Sequence, residues 1–323
     1  MTVLITGATG FVMSALVRHL AERGYRVVAA DLKPPDSALR AYLSGLRGPV
    51  DFREVNVVDR AAVAALVGET RAAHVVHGAA VTAIPPETER GRFTDTTEVN
   101  VLGTLHVLDA VRRAGARRTV VVSSGSVYGA RADFAPVSED AAASPQGVYP
   151  ITKWAAEALA RRYAEVSRLD LAVVRLASPF GPFERDTGSR PLLSAIHDWA
   201  LTALRGEVVR AGGPPTALRD PAYVDDVASG IAAVLLAERL PHDVYNVGWG
   251  KGATTAETLA ALARLIPGVK IERAPAEPSR WPSLARGPLA CDRLRRDLGW
   301  TPAYDLDSGL ATYLDWLRRH PDS

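Results

Sequence analysis

The clearest chemical signal in this sequence is a tyrosine and a lysine four residues apart that follow a cluster of small hydroxyl residues. The stretch at 120–129 reads VVVSSGSVYG, and YPITK stands at 149–153. The valines predict a buried strand that ends in the small residues. The second motif opens a helical pattern with Pro150 in the first turn, where a backbone N–H is not needed.

Ser124, Tyr149 and Lys153 together predict acid–base chemistry on a substrate oxygen. Helical residues four apart share a face, so Tyr149 and Lys153 lie on one side of the helix, near a hydroxyl at the end of the strand. A phenol with a pKa of about 10 is a weak base at neutral pH, and a nearby cation lowers that pKa. Because this spacing also arises by chance on solvated helices, the prediction depends on the elements around it.

The composition is that of an ordinary globular chain, with 47% hydrophobic and 23% charged residues in 323. A net charge of +2 gives no indication of a nucleic-acid or membrane surface, and we find no apolar run typical of a signal peptide or membrane span. The single cysteine, Cys291, excludes an internal disulfide and fits a reducing compartment. We therefore expect a cytoplasmic protein, and the seven histidines show no metal-ligand spacing.

The N-terminal segment predicts a dinucleotide-binding βαβ unit. An apolar strand over 2–6 runs into a glycine turn, an amphipathic helix follows over 14–23, and a strand over 25–30 ends at Asp31. The glycines let the backbone approach a pyrophosphate at the helix N-terminus. Because the charge of Asp31 suits the adenosine ribose diol and would repel a 2′-phosphate, we expect NAD rather than NADP.

Met13 departs from the usual pattern of this turn. The third small position normally allows the helix to pack closely on the strand, and a methionine there must either push the helix outward or turn its side chain away. The sequence therefore defines the position of the cofactor site better than it defines the affinity for the cofactor.

Strands and helices continue to alternate through the first half. Further strands are predicted at 52–58, 73–80 and 119–122, with a helix over 98–111. This alternation predicts an α/β fold with a Rossmann-like, doubly wound parallel sheet and with ligands at the carboxyl ends of the strands.

The second half is less regular. A sixth strand is predicted over 171–177 and a last one over 244–248, with helices at 197–204 and 227–237 and a Pro- and Gly-rich loop over 178–191. Another loop is predicted at 211–215. We expect residues 1–177 and 216–247 to form the NAD-binding domain, and a smaller C-terminal lobe, 178–215 and 248–323, to bind the substrate.

These motifs together resemble the extended short-chain dehydrogenase/reductase family, which contains NAD-dependent sugar epimerases and dehydratases, and they are most similar to the nucleotide-sugar 4-epimerases. The motifs that carry the resemblance are TGATG at 6–10, Asp31, Asn100 with Gly103 and Thr104, SSGSVYG at 123–129, YPITK at 149–153, RDPAYVDDV at 219–227, YNVG at 245–248 and LGW at 298–300. Members are often dimers through two helices, which would correspond to about 98–114 and 150–168 here.

The resemblance implies roles for individual residues. Tyr149 is the catalytic base, Ser124 hydrogen-bonds the reacting oxygen, and Lys153 binds the nicotinamide ribose. The implied cofactor-binding residues are Gly7, Gly10, Phe11, Val12, Asp31, Asn56, Val57, Ala79, Ala80, Asn100 and Lys153. The implied substrate-binding residues are Ser126, Ser178, Arg219 and Arg280.

The motifs also bear on which reaction is expected. Dehydratases of this group carry an Asp–Glu pair at the positions of Gly125 and Ser126, and related decarboxylases carry Glu at the second, so both reactions are disfavoured. Arg219 matches an arginine that holds a nucleotide-sugar diphosphate, with Arg280 near a second one. Relatives usually have Asn at Ser178, however, and this departure leaves a smaller substrate open.

Three alternatives therefore remain at this stage. The first is C4 epimerisation of a nucleotide sugar through a keto intermediate, with NAD retained. The second is an NAD-dependent dehydrogenase of a free sugar or small hydroxy compound, and the third is a non-catalytic NAD-binding regulator, which the presence of all three catalytic residue types disfavours.

Overall fold

The computed structural model describes residues 1–82, 89–131, 133–274 and 286–320. Its strands are β1 (Thr2–Thr6), β2 (Arg26–Asp31), β3 (Val50–Glu54), β4 (His74–His77), β5 (Arg118–Ser124), β6 (Leu171–Leu176), β7 (Ser178–Phe180), β8 (Val209–Gly212), β9 (Leu218–Arg219), β10 (Pro221–Tyr223), β11 (Val244–Val247), β12 (Ala253–Thr254) and β13 (Ile271–Ala274). Its α-helices are α1 (Phe11–Glu22), α2 (Ser37–Tyr42), α3 (Arg60–Thr70), α4 (Phe93–Thr97), α5 (Gly103–Ala114), α6 (Val148–Ser167), α7 (Ala195–Leu204), α8 (Val224–Leu236), α9 (Thr255–Leu265), α10 (Asp292–Leu298) and α11 (Leu306–Arg319).

In the described part of the chain, the central sheet has seven parallel strands in the order β11-β6-β5-β4-β1-β2-β3. The order reverses between β1 and β4. In open α/β sheets, such a reversal opens a crevice at the carboxyl ends of the strands, and ligands bind there. The predicted Rossmann-like doubly wound α/β fold is thus confirmed.

Helices cover both faces of this sheet, because each buried strand presents apolar side chains alternately to two cores. On β1, Val3 and Ile5 belong to a core that includes residues of α1 and α8. Leu4 between them belongs to the opposite core, with residues of α3, α5 and α6. The helix α6, which carries Tyr149 and Lys153, and the glycine-turn helix α1 therefore lie on opposite sides of the sheet.

Within the described residues, three small two-stranded sheets lie outside the central one. They pair β7 with β10, β8 with β13, and β9 with β12. The strand β11, although late in the chain, joins the central sheet beside β6. Among the helices in the described ranges, none has both the length and the apolar character needed to cross a membrane.

Three sequence-based assignments differ from the structure in their bounds or in the type of element. The strand expected over 52–58 is β3, which begins two residues earlier and ends at Glu54. The loop expected at 211–215 begins inside β8, because Val209–Gly212 pairs with β13. The helix expected over 98–111 is divided into a π-helical turn, Glu98–Leu102, and α5.

Met13 is accommodated by a glycine on the neighbouring strand end. Its side chain is only 3% exposed, and a Cβ built on Gly78 would lie 2.3 Å from Met13 Sδ and 2.5 Å from Met13 Cγ. The methionine therefore neither pushes α1 away nor points to solvent. It fills the space that a side chain at position 78, just after β4, would otherwise occupy.

We expect Met13 and Gly78 to be energetically coupled. Gly78→Leu should destabilise the protein by about 1–3 kcal/mol through overpacking, and Met13→Ala should cost about 2–5 kcal/mol through the cavity it leaves. In the double variant each change relieves the other, so its loss should be at least about 1 kcal/mol smaller than the sum. Denaturant unfolding of the four proteins measures this.

The matched control is Gly68→Leu, because a Cβ at Gly68 on α3 meets no atom within 4 Å. That change should alter the free energy of unfolding little or raise it slightly. Strictly additive losses in the Met13/Gly78 pair would contradict the account of this packing.

Candidate active site

The predicted catalytic residues meet at the carboxyl end of β5. Ser124 is the last residue of that strand, and Tyr149 lies in the first turn of α6. The Ser124 hydroxyl hydrogen-bonds with Tyr149 and also accepts a hydrogen bond from the Ser126 N–H at 3.1 Å. Lys153 follows one turn later on α6 and is buried. A hydroxyl, a phenol and an ammonium thus share one end of the sheet.

Burial determines the direction of both pKa shifts at these residues. It raises the pKa of Tyr149 above its usual value, while the hydrogen bond with Ser124 and the charge of Arg190 oppose that shift. The net pKa of Tyr149 is thus raised and not lowered as expected, because burial outweighs the opposing effect of a nearby cation. Burial also lowers the pKa of Lys153 to about 8, against the opposing charge of Glu157. Lys153 remains a cation at neutral pH but releases its proton more readily than an exposed lysine.

A buried ion pair lies directly behind Lys153. Glu157 is one further turn along α6 and is fully buried. Its carboxylate accepts hydrogen bonds from Arg175 Nε at 3.1 and 3.2 Å, from Arg175 Nη2 at 2.5 Å and from Ser123 Oγ at 2.9 Å. Arg175 also donates to the Tyr128 hydroxyl at 2.8 Å. These bonds tie α6 to β5 and β6 below the reacting groups.

Asn100 ties the same helix to the segment after β4. It lies in the π-helical turn, and such turns are frequent at functional sites. Its Oδ1 accepts from the Val81 N–H at 2.9 Å, while its Nδ2 donates to the Val81 carbonyl at 2.9 Å and to Thr152 Oγ1 at 3.0 Å. Asn100 therefore fixes the distance between α6 and the end of β4.

The glycine turn has the geometry that a dinucleotide requires. Gly7 has a φ of 71°, and a Cβ there would lie 2.6 Å from the Ala79 nitrogen, so two backbones meet at this point. Gly10 is the N-cap of α1, and no side chain caps the helix. Phe11 and Val12 are its first two residues. The first N–H groups of α1 therefore suit the pyrophosphate of NAD.

A cavity of about 220 Å³ adjoins this turn beside the ends of β2 and β3. Its lining includes Thr9, Lys33, Arg40, Phe52, Arg53 and Glu54. Asp31 lies at its edge, where its carboxylate accepts hydrogen bonds from the N–H groups of Thr9 at 2.9 Å and Leu32 at 2.7 Å. The position of this carboxylate suits the adenosine ribose.

The other residues implied as cofactor contacts differ in their exposure to solvent. Asn56 is exposed, and its Oδ1 accepts from the Val58 N–H at 3.0 Å. Val57 is buried against Gly103, and neither Asn56 nor Val57 lines the cavity. Ala79 and Ala80 are half-buried just after β4.

A second cleft contains the implied substrate residues Ser178 and Arg219, together with Phe180, Ile196 and Trp199. Ser178 is exposed at the start of β7, and Arg219 is half-buried. Burial lowers the pKa of the Arg219 guanidinium without depriving it of its charge at neutral pH. Arg280 lies outside the described residues. The cleft thus combines a cation with apolar and aromatic surface.

The loop between β7 and α7 crosses from the C-terminal helix to the cofactor side. Phe183, at a φ of 63°, packs between the rings of Tyr42 and Trp316, with centroids at 4.4 and 5.5 Å. Arg185 forms an ion pair with Asp36. At the far end of the loop, the Ser189 carbonyl accepts from the Thr82 N–H at 2.8 Å. We refer to residues 181–190 as the strap.

Sequence reasoning missed the charged residues of the irregular segments. Arg190 lies over the Phe11 ring at 5.2 Å and pairs with the buried Glu184 at 2.6 Å. Arg286 is buried beside Gly125. Neither arginine lies in a periodic pattern, so no local signal marks them. Glu157, by contrast, could have been found, because it continues the four-residue spacing of Tyr149 and Lys153.

The family model for the NAD dependent epimerase/dehydratase family matches residues 3–248. A UDP-glucose 4-epimerase of Mycolicibacterium smegmatis is 31% identical over 323 residues, which cover 98% of this chain and 99% of that protein. A dTDP-glucose 4,6-dehydratase of Streptomyces antibioticus is 30% identical, over 98% of this chain and 92% of the relative. Relatives of both reaction types therefore match almost the whole chain.

Solved structures match the fold over its full length. The UDP-glucose 4-epimerase of Thermotoga maritima with UDP-glucose has a TM-score of 0.87 at 25% identity, with all of both chains covered. MoeE5 in complex with UDP-glucuronic acid and NAD has a TM-score of 0.83 at 29% identity, over 99% of this chain and 100% of the other. With its glycine turn and its Ser124, Tyr149 and Lys153, the chain belongs to the NAD dependent epimerase/dehydratase family and uses NAD.

Proposed function

We propose that this protein epimerises a nucleotide sugar at C4 through a keto intermediate. The observation that carries the proposal is the contact between Ser124 and Tyr149, with the Lys153 ammonium one turn away on the same helix. The relatives that match nearly the whole chain include UDP-glucose 4-epimerases. The substrate's C4 hydroxyl would lie against the Ser124–Tyr149 pair.

Each of these residues has a distinct part in the proposed reaction. Ser124 donates a hydrogen bond to the reacting oxygen and orients the Tyr149 hydroxyl. Tyr149 takes the proton from that oxygen and returns it after the ketone has turned over. Lys153, held as a cation, favours the ionised phenol at that moment. When bound, NAD supplies the hydride acceptor and donor.

The residues that the family resemblance implies as cofactor contacts can be assigned to different parts of the dinucleotide according to where they lie. Gly7, Gly10, Phe11, Val12, Ala79 and Ala80 line the turn that we assign to the pyrophosphate and nicotinamide side. We assign the carboxylate of Asp31 to hydrogen bonds with the adenosine ribose. Because the side-chain groups of Asn100 are all engaged within the protein, we interpret it as a positioning residue. We assign Asn56 and Val57 to the edge of the adenine region.

This chain lacks the acidic side chains that dehydratases of the family use to expel water. The positions that carry the Asp–Glu pair in dehydratases are Gly125 and Ser126. A Cβ on Gly125 would lie 2.8 Å from Arg286 Nη2 and 3.1 Å from the Leu176 carbonyl oxygen. An acidic side chain could therefore not be added there without displacing Arg286. This supports epimerisation over dehydration.

The strap favours an epimerase over a dehydrogenase. An epimerase must keep its reduced cofactor until the hydride returns, whereas a dehydrogenase must release it. Phe183, Arg185 and Ser189 each contact a residue on the cofactor side of the crevice. The strap therefore restricts the exit of a bound dinucleotide and suits a cofactor that is retained.

We assign the substrate diphosphate to the cleft that contains Arg219. A cationic guanidinium suits phosphate oxygens, and the apolar side chains around it suit a nucleoside base. Ser178 offers a hydroxyl where relatives usually have the Asn amide. Residues 178–215 and 248–323 form the substrate-binding lobe in this proposal, with the NAD-binding domain contributing the reacting groups.

We further propose a cytoplasmic homodimer. Large apolar side chains are exposed on and next to the two helices that the family resemblance implicates: Leu102 at 43%, Ile151 at 50%, Leu159 at 42% and Val166 at 61%. A second copy of the chain would cover them. The buried free thiol of Cys291 fits a reducing compartment.

Tyr149→Phe should lower turnover by about 10²–10⁴-fold with the fold intact, because it removes the proton carrier and keeps the ring. Steady-state assay of C4 epimer formation measures this, with circular dichroism as the check on folding. Tyr163→Phe on the same helix is the control and should retain activity. A Tyr149→Phe enzyme with most of its activity would exclude this residue as the acid–base catalyst.

NAD should bind at least tenfold more tightly than NADP, a difference of about 1.4 kcal/mol. Asp31→Asn should narrow that preference, because Lys33, Arg40 and Arg53 remain in the adjoining cavity to attract a 2′-phosphate. Titration of both cofactors tests this, with Asp51→Asn as the control on the neighbouring strand. Equal affinities in the unaltered protein would refute the role of Asp31.

With NAD and a UDP-hexose or UDP-hexuronate, the purified protein should form the C4 epimer without steady growth of NADH absorbance. Arg219→Ala should weaken substrate binding by about 1.5–3 kcal/mol, because it removes a charged hydrogen-bond partner of the diphosphate. Arg210→Ala, an exposed arginine on β8, is the control. Stoichiometric NADH formation from a free sugar, unchanged by Arg219→Ala, would instead indicate the dehydrogenase.

A further inference from the structure

Arg286 is a buried cation that lies against Gly125, at the start of the turn that follows Ser124. It is 8% exposed, and its Nη2 lies 2.8 Å from the position that a Cβ on Gly125 would take. Gly125 directly follows Ser124. In the described part of the chain, the only hydrogen bond of this guanidinium runs from Nη1 to the Gly287 carbonyl at 3.2 Å. Its Nε is buried without a partner there.

The free side of this guanidinium is the edge formed by Nε and Nη2. Arginine binds carboxylates side-on through that edge, with two parallel hydrogen bonds. Four other arginines of this protein donate hydrogen bonds from Nε and Nη2 to a carboxylate: Arg26 to Asp51, Arg118 to Asp170, Arg175 to Glu157 and Arg264 to Asp307. Arg286 has the same edge available but no carboxylate of the described chain bound to it.

The carboxylate of Asp220, which interacts electrostatically with Arg286, does not occupy that edge. Asp220 is buried, and its carboxylate accepts hydrogen bonds from the Leu289 N–H at 3.0 Å and the Trp249 N–H at 3.1 Å. It interacts with Arg286 electrostatically and makes no hydrogen bond with it among the described residues. Asp220 thus lessens the cost of burying the cation and leaves its donors unused.

A second unused polar group belongs to Ser126, the residue that follows Gly125 in the chain. The Ser126 hydroxyl is buried and has no hydrogen-bond partner in the described structure. A buried hydroxyl without a partner and a buried guanidinium whose Nε has no acceptor are both costly unless a ligand satisfies them. Polar groups without a hydrogen-bond partner in the described structure thus belong both to Arg286, which lies against Gly125, and to Ser126, which follows Gly125 in the chain.

We propose that Arg286 and Ser126 bind the carboxylate of a hexuronate, so that the preferred substrate is a nucleotide hexuronate. In such a sugar the carboxylate carbon is attached to C5, which neighbours the reacting C4. The diphosphate is attached to C1, on the far side of the ring. An anion site one residue from Ser124 is therefore suited to the carboxylate. This inference rests on the proposed C4 epimerisation.

The test compares kcat/KM for UDP-glucuronate and UDP-glucose. The unaltered enzyme should prefer the glucuronate. Arg286→Met should lower the ratio of the two values by about 10- to 100-fold, because charged hydrogen bonds to one substrate alone are lost. Arg273→Met, an exposed arginine on β13, is the matched control and should leave the ratio unchanged.

Ser126→Ala provides a second variant in case Arg286→Met does not fold. It should lower the ratio in the same direction by about three- to tenfold, because one neutral hydrogen bond is lost. Thermal unfolding and NAD titration check that each variant is folded and binds the cofactor.

The outcomes separate the two proposals. A preference for glucuronate that both variants reduce supports the carboxylate site. Efficient epimerisation of UDP-glucose without preference for glucuronate, or equal losses on both substrates in the variants, overturns the carboxylate site while C4 epimerisation stands. If neither sugar is epimerised at C4, the proposed function itself fails and the carboxylate site fails with it.

Discussion

The buried ion pair between Glu157 and Arg175 is the interaction on which the active site most depends. Arg175 lies on β6 and Glu157 on α6, and both are almost inaccessible to solvent. Removing one member of such a pair leaves an unpaired buried charge and costs about 3–5 kcal/mol. Through Ser123 and Tyr128 the pair also holds β5 and the turn after Ser124. The helix that carries Tyr149 and Lys153 is thereby fixed in register with the strand that carries Ser124.

This arrangement also accounts for the electrostatics of the site. Lys153 is buried one turn from Glu157, whose negative charge opposes the pKa decrease caused by burial. Arg175 in turn forms an ion pair with the Glu157 carboxylate, to which it donates through Nε and Nη2. The charges alternate from Lys153 through Glu157 to Arg175, with Tyr149 at the open end. A cation can thus be kept beside the reacting phenol inside a protein core, where an isolated lysine would tend to lose its proton.

The sequence predicted the parts of the molecule that are governed by local periodicity. The Rossmann-like sheet, the glycine turn and the spacing of Tyr149 and Lys153 could all be read from strand and helix patterns. The space that Met13 fills could not, because it is created by Gly78, 65 positions along the chain (78 minus 13). Arg190 and Arg286 were also missed, since irregular segments bring them to the site through tertiary packing alone. The raised pKa of Tyr149 depends on burial, which the four-residue spacing does not report.

The most direct test of C4 epimerisation is the fate of a deuterium placed at C4 of the nucleotide sugar. The label should be removed from one face and returned to the other within a single active site. Mass and NMR spectra should therefore show the deuterium retained at C4 of the product, with no incorporation of solvent hydrogen at any ring carbon. Loss of the label to free reduced cofactor, or solvent hydrogen at C5 with the C4 label untouched, would contradict the account.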